Sequence, residues 1–358
     1  MGSPSNMKRP IFYYTLLFAI IILTIHVSIP AYGQSLVDSS AAKSNDTLYL
    51  KSTALVITGS IIEGVSITSG YPIPYLGVGH FLQKNYISGI FFFGTELGLL
   101  FLKSRLENKV GPQDFRRYPN ISNDAVYFRR DGLSSVSNAY HQYAIIANQS
   151  ALYVPMIDLF STYRTLHLET SAMNKVQMDG TSIPNLLLSP FKPKYLTNPW
   201  VFLPTLSLGV GNYFGSASNK PLSSARDVTL FNSAYTPAQA ALLYMSIDAF
   251  NYVLVAAGEE MMFRGIIQTQ LTEFINPTAA IVISSLLFGA FHIPNNGLAN
   301  AIGPTLYGLY AGYRYQHNGY DLGEVIALHF WIDWLQDSAG FLQNPQKSKY
   351  VFGINWKL

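Results

Sequence analysis

The chain has 358 residues, of which 49% are hydrophobic and only 12% are charged, with a formal net charge of +3 and no cysteine. A soluble domain carries about 25% charged residues, so charge this sparse, with apolar residues gathered in long runs, indicates a polytopic membrane protein. The missing cysteines exclude disulfides, thiol catalysis and cysteine-ligated metals, and the small positive charge gives no sign of a nucleic-acid partner.

In chain order, residues 1–33 read as a signal peptide. Lys8 and Arg9 precede an apolar run from Ile11 to Ile29, then Pro30 and the small-residue pattern Ala31-Tyr32-Gly33. The competing reading is an uncleaved first transmembrane helix. Residues 34–103 form an N-terminal membrane region. Its apolar segments Ala54–Tyr71 and Ile87–Leu102, joined by the turn-rich Pro72–Gly77, predict a helical hairpin. Gly77-Val78-Gly79 is a poor candidate for a phosphate loop, because no strand precedes it.

Residues 104–199 are mainly polar. The arginines Arg105, Arg116, Arg117, Arg129 and Arg130 mark a cytoplasmic loop. Tyr143–Phe160 is a candidate additional helix, interrupted by Asn148, Gln149 and Asp158. His141 and His167 have no partner at ligand spacing and read as surface histidines, and Thr170–Pro199 reads as a polar linker. Val201–Phe214 is a candidate short span. Within residues 200–340 four apolar helices follow, over Ala240–Phe274, Thr278–Ile293, Leu298–Gln316 and Gly323–Gly340. Asn276-Pro277, Pro294–Gly297 and His317–Gly319 separate them. Residues 341–358 form a basic tail with Lys347, Lys349 and Lys357.

Ionisable residues inside apolar helices are costly and point to function. The helical region has Glu259, Glu260 and Arg264 on its first helix, His292 on its second, and His329 and Asp333 on its fourth. Glu260 and Arg264 are four apart and share a face, as do His329 and Asp333, whereas Glu259 is turned by about 100° from Glu260. Glu259 lies 17 residues before Asn276, and His292 lies 15 after Pro277. His329 and Asp333 lie 10 and 14 residues beyond Gly319. These counts put all the groups in one slab of a helical bundle. Singly, each has a bland reading: a solvated acid, a core histidine, a scaffolding ion pair. Their shared depth favours a site.

The motifs Glu259-Glu260…Arg264, Phe288…His292 and His329…Asp333 resemble, in order and in helix placement, those of the CAAX-protease and bacteriocin-processing (CPBP) intramembrane peptidases. The resemblance covers about 240–340. It implies an all-α polytopic transmembrane bundle with a four-helix CPBP core, and hydrolysis of a peptide bond in a membrane-associated peptide or lipidated protein. By that analogy Glu259 is the general base, His292 helps to hold the water, and His329 and Asp333 face the oxyanion. Glu260 and Arg264 form an ion pair that positions Glu259. No cofactor is required, although Glu259, His292 and His329 could form a two-histidine, one-carboxylate zinc site. Asp333 stands where the prenyl-protein endopeptidases have Asn, so it must be protonated, orient His329 or bind an ion.

The turns at Glu273–Pro277 and His317–Gly323 carry little positive charge. Lys220, Arg226 and the tail lysines place the opposite side in the cytoplasm, as for a bacterial inner-membrane protein. The rival readings are a non-catalytic binding or immunity protein on the same scaffold and a proton-coupled transporter. A transporter favours matching inverted halves, which the sequence lacks.

Overall fold

The computed structural model describes residues 74–110, 135–171, 174–215, 220–231, 233–348 and 353–356. The expected signal peptide, the apolar segment Ala54–Tyr71 and Arg116, Arg117, Arg129 and Arg130 lie outside the described residues. The architecture is all-α, as expected for a helical membrane protein. The helices are α1 (Val78–Leu82), α2 (Tyr86–Val110), α3 (Ser135–Glu169), α4 (Ile183–Leu187), α5 (Pro193–Leu196) and α6 (Pro199–Gly215). They continue with α7 (Pro237–Phe274), α8 (Pro277–Asn296), α9 (Ile302–His317) and α10 (Leu322–Gln343). Among the described residues, Tyr86–Leu106 of α2 and the 38 residues of α7 are long and apolar enough to cross a bilayer, which takes about 20 residues. On α2 and α6 large apolar side chains face outward, including Ile87 and Phe101, and Leu203 and Phe214. In a bundle embedded in lipid such faces need no protein cover.

The described residues fall into two compact units, and α2, α3 and α7 contribute to both. Of the described residues, the first holds those from 74 to Leu97 and those within Val154–Gly180 and Met261–Gln316. Here the middle of α7, Met261–Gln268, is wound as a π-helix rather than the regular α-helix expected from its apolar spacing. Asn276 caps α8 by accepting from Ala279 N at 2.8 Å, with Pro277 at the first helical position. Small residues let the helices approach closely. A Cβ at Gly289 would collide with the Thr305 side chain, and one at Gly312 would come within 2.7 Å of Gln268 Oε1.

A buried polar cluster ties the turn before α1 to α2 and α3. Leu76 N donates to Glu96 Oε2 at 2.6 Å, and Gly77 N donates to Asp158 Oδ2 at 2.8 Å. His80 Nε2 lies 3.3 Å from Asp158 Oδ1, with its ring stacked on Phe92. Glu96 and Asp158 are both buried beside this turn. The groups bound by this glycine-containing turn are therefore the chain's own carboxyl groups. His167, expected at the surface, is buried: its Nε2 donates to Val176 O at 2.8 Å. Val176 N in turn donates to Glu273.

The second unit holds the described residues within Gly98–Tyr153, Thr181–Glu260 and His317–Leu358. Its centre is the packing of α10 against α6 and against the first part of α7. Gly209 of α6 sits on Leu335. Trp331 and Trp334 of α10 donate their indole N–H groups to Pro190 O and Met245 O. Tyr244 stacks on Phe341 and donates to Asp337. The N-terminus of α10 is capped by Asp321, which accepts from Gly323 N and also from Tyr195 Oη at 2.7 Å. The stretch read as a polar linker thus holds α4 and α5 and supplies buried anchors such as Tyr195 and Ser189.

A small antiparallel sheet was not foreseen. Strands β1 (Ala225–Leu230), β2 (Ser233–Tyr235) and β3 (Gly353–Trp356) lie in the order β2-β1-β3, with Val228 opposite both Tyr235 and Ile354. The segment expected as a basic tail therefore contains a strand that pairs with β1.

Gly77 adopts φ 64°, and a Cβ there would strike the backbone of Gly89. Gly77→Ala is expected to destabilise the protein by about 1–3 kcal/mol through strain at a left-handed position. Thermal unfolding in detergent measures it, and an unchanged midpoint would show that the turn is not docked on α2.

Candidate functional site

Glu259 and Glu260 end the regular α-helical part of α7, one residue before the π-wound segment, and both are buried. A carboxylate removed from water must find partners, because the cost of burying an uncompensated charge is several kcal/mol. The partner on α10 is His329, whose side chain is also buried. Its Nδ1 donates to Glu260 Oε1 at 2.7 Å, a separation typical of a charge-assisted bond. This fixes the plane of the ring. The other nitrogen, Nε2, then lies 3.2 Å from Asp333 Oδ2 and 3.8 Å from Glu259 Oε2. His329 and Asp333 are one helical turn apart on the same face, as their spacing predicts.

Glu259 has a further contact from outside this helix pair. Tyr153 Oη, on α3, donates to Glu259 Oε1 at 3.1 Å within the buried interior. Sequence reasoning missed Tyr153, since a tyrosine in an apolar helix reads as ordinary core. Gly258 makes the approach feasible: a Cβ there would lie 3.1–3.2 Å from the ring, the Cβ and the carbonyl oxygen of Tyr153. Asp333 is the more accessible member, with 24% of its side chain exposed against 6% for His329.

Arg264 and His292 belong to the first unit. Arg264 is buried, with its guanidinium 4.5 Å above the Phe288 ring and 5.5 Å from that of Tyr307, and it donates to Gly308 O at 3.3 Å. His292 Nδ1 donates to Phe288 O at 2.8 Å, and its ring lies 4.7 Å from the Phe288 ring. Phe288, the first residue of its motif, is thus the surface against which both Arg264 and His292 are held.

A metal-bound imidazole gives one nitrogen to the metal and the other to a second acceptor. Nδ1 of His329 has such an acceptor in Glu260, whereas Nε2 faces the Asp333 carboxyl group. Among the described residues, no group of three or more His, Asp and Glu is arranged to hold a metal ion.

Residues 241–335 match the family described as type II CAAX prenyl endopeptidase Rce1-like. The match runs from α7 to Leu335 in α10. It contains Glu259, Glu260, Arg264, His292, His329 and Asp333, and excludes Tyr153. No curated protein and no solved structure matches the chain.

Glu260→Ala leaves the His329 ring buried without its 2.7 Å acceptor. A loss of about 3–5 kcal/mol in stability is expected, with a smaller loss for Glu260→Gln, which keeps an acceptor oxygen. Denaturant unfolding of both variants checks this, and parent-like stability of Glu260→Ala would show that the contact carries no weight.

Proposed function

We propose, from the CPBP-family domain that the chain carries at residues 241–335, that the protein is an intramembrane endopeptidase. Its substrate is a membrane-associated peptide or lipidated protein. The observation that supports this above others is the gathering of three carboxyl groups, Glu259, Glu260 and Asp333, around the two nitrogens of one buried histidine. A structural ion pair has no use for so many acids. A hydrolase needs a base, a group that faces developing negative charge, and a scaffold that holds both.

Glu259 is the base in this reading. Its Oε2 and His329 Nε2 are 3.8 Å apart, too far for a direct hydrogen bond and well suited to sharing one water. Glu259 takes a proton from that water as the oxygen adds to the scissile carbonyl carbon. Negative charge grows on the carbonyl oxygen, on the side lined by His329 and Asp333. The proton then passes from Glu259 to the leaving amine as the C–N bond breaks. Glu260 holds His329 in place through Nδ1. Arg264 and His292 enter the reading through their motif positions alone. The chemistry runs on water and carboxyl groups without a metal, and the proposed location is a bacterial inner membrane.

The test uses purified protein in detergent or liposomes, with a quenched fluorogenic farnesylated CAAX peptide and a set of transmembrane peptides as probes. Glu259→Ala is expected to lower turnover by about 10²–10⁴-fold, the usual worth of a positioned base, without a change in unfolding. A near-parent rate would refute the assignment. Activity should survive chelation. Activity lost with stoichiometric zinc and regained on its return would make Glu259 a ligand rather than a base.

Asp333 gives a sharper test. An Asn at this position can accept from His329 Nε2 through its carbonyl oxygen and still donate through its amide, whereas Ala can do neither. Asp333→Asn should keep most of the activity. Asp333→Ala should lose about 10²–10³-fold, as for one oxyanion donor. Equal losses in both at every pH would eliminate the donor role.

A further inference from the structure

We infer that Tyr153 is a positioning residue of this site, one that orients Glu259 from outside the family-matched segment; the inference rests on the reading of Glu259 as the base. Two independent contacts carry it, on adjacent residues of α7. The Tyr153 hydroxyl donates to Glu259 Oε1 at 3.1 Å. The backbone and ring of Tyr153 also press against Gly258, where a Cβ would be 3.1 Å from Cδ1 and 3.2 Å from the carbonyl oxygen. Any side chain at Gly258 would move the phenol away from the carboxyl group. Tyr153 is 5% exposed, so its hydroxyl has little access to water and its donation is directed.

The consequence for the base is specific. A glutamate side chain has several rotatable bonds and loses much rotamer freedom when fixed. With Oε1 held by Tyr153, the second oxygen, Oε2, is left facing His329 Nε2 at 3.8 Å. The chain outside residues 241–335 thus completes the site instead of merely anchoring it.

The experiment measures kcat and KM of Tyr153→Phe beside the parent, on the farnesylated CAAX peptide in detergent. Removing the hydroxyl should lower kcat by about tenfold with KM little changed, the pattern of a lost contact that aligns the reacting groups rather than binding substrate. Gly258→Ala keeps the hydroxyl but displaces the phenol, so it should lower kcat in the same way. This second variant serves if Tyr153→Phe does not fold. An unchanged kcat in the folded variants, while Glu259→Ala abolishes turnover, would overturn the role of Tyr153 and leave the peptidase reading intact. Parent-like turnover in Glu259→Ala would instead remove the reading on which the role rests.

Discussion

The hydrogen bond from His329 Nδ1 to Glu260 Oε1, 2.7 Å long, is the contact on which the geometry of the site depends. It joins α10 to α7, and it decides which way the second ring nitrogen points. Once Nδ1 is committed, Nε2 can only face Asp333 and Glu259. Much of the second unit serves to hold that register. Asp321, Tyr195 and Gly323 fix the start of α10, while Trp331 and Trp334 bind carbonyl groups along its length. An imidazole between acids is tolerable in an apolar bundle only if each polar atom has a partner, and close helix packing supplies the precision.

The same rule explains the cluster around Asp158 in the first unit. Two acids and a histidine are buried there, and the acids are answered by backbone N–H groups of the Leu76-Gly77 turn. Large apolar side chains such as Ile87 and Leu203 face outward on α2 and α6, whereas Glu96 and Thr205 face in. That inversion is what lipid imposes, since lipid offers no hydrogen bonds to satisfy an outward-facing polar group.

The four helices of residues 237–343 were legible because long apolar runs were punctuated by strong signals. Asn276-Pro277 is an N-cap followed by proline, and Asn318–Asp321 forms the turn that starts α10. The pairing of His329 with Asp333 was legible too, because an i,i+4 rule sees both partners on one helix. The same rule could not see that Glu260 would bond to a histidine 69 residues away. Nor could it reveal Tyr153, whose chemistry depends on one hydroxyl meeting one carboxylate 106 residues further on. The small sheet escaped because β3 is four residues long and its partner β1 lies far upstream. His167 read as exposed because its acceptor is a backbone carbonyl beyond a turn, which leaves no trace in side-chain spacing.

The π-wound stretch of α7 was the least legible element, since Met261–Gln268 has the composition of an ordinary apolar helix. Such winding loosens the regular ladder of hydrogen bonds and persists where side chains compensate. Two hydroxyl groups do so on consecutive carbonyls: Ser284 Oγ donates to Phe263 O at 2.8 Å, and Thr269 Oγ1 donates to Arg264 O at 2.9 Å. The second donor sits five residues beyond its acceptor, the spacing of a π turn. The winding is therefore written into particular side chains on α7 and α8 rather than being a chance irregularity. Its effect falls on Arg264, a motif residue inside the stretch, whose guanidinium is held above Phe288 and bonded to Gly308 O. A Cβ at Gly308 would lie 3.4 Å from that guanidinium and 3.1 Å from the Ser285 backbone, so a glycine on α9 and the altered winding of α7 together fix the direction in which the arginine points.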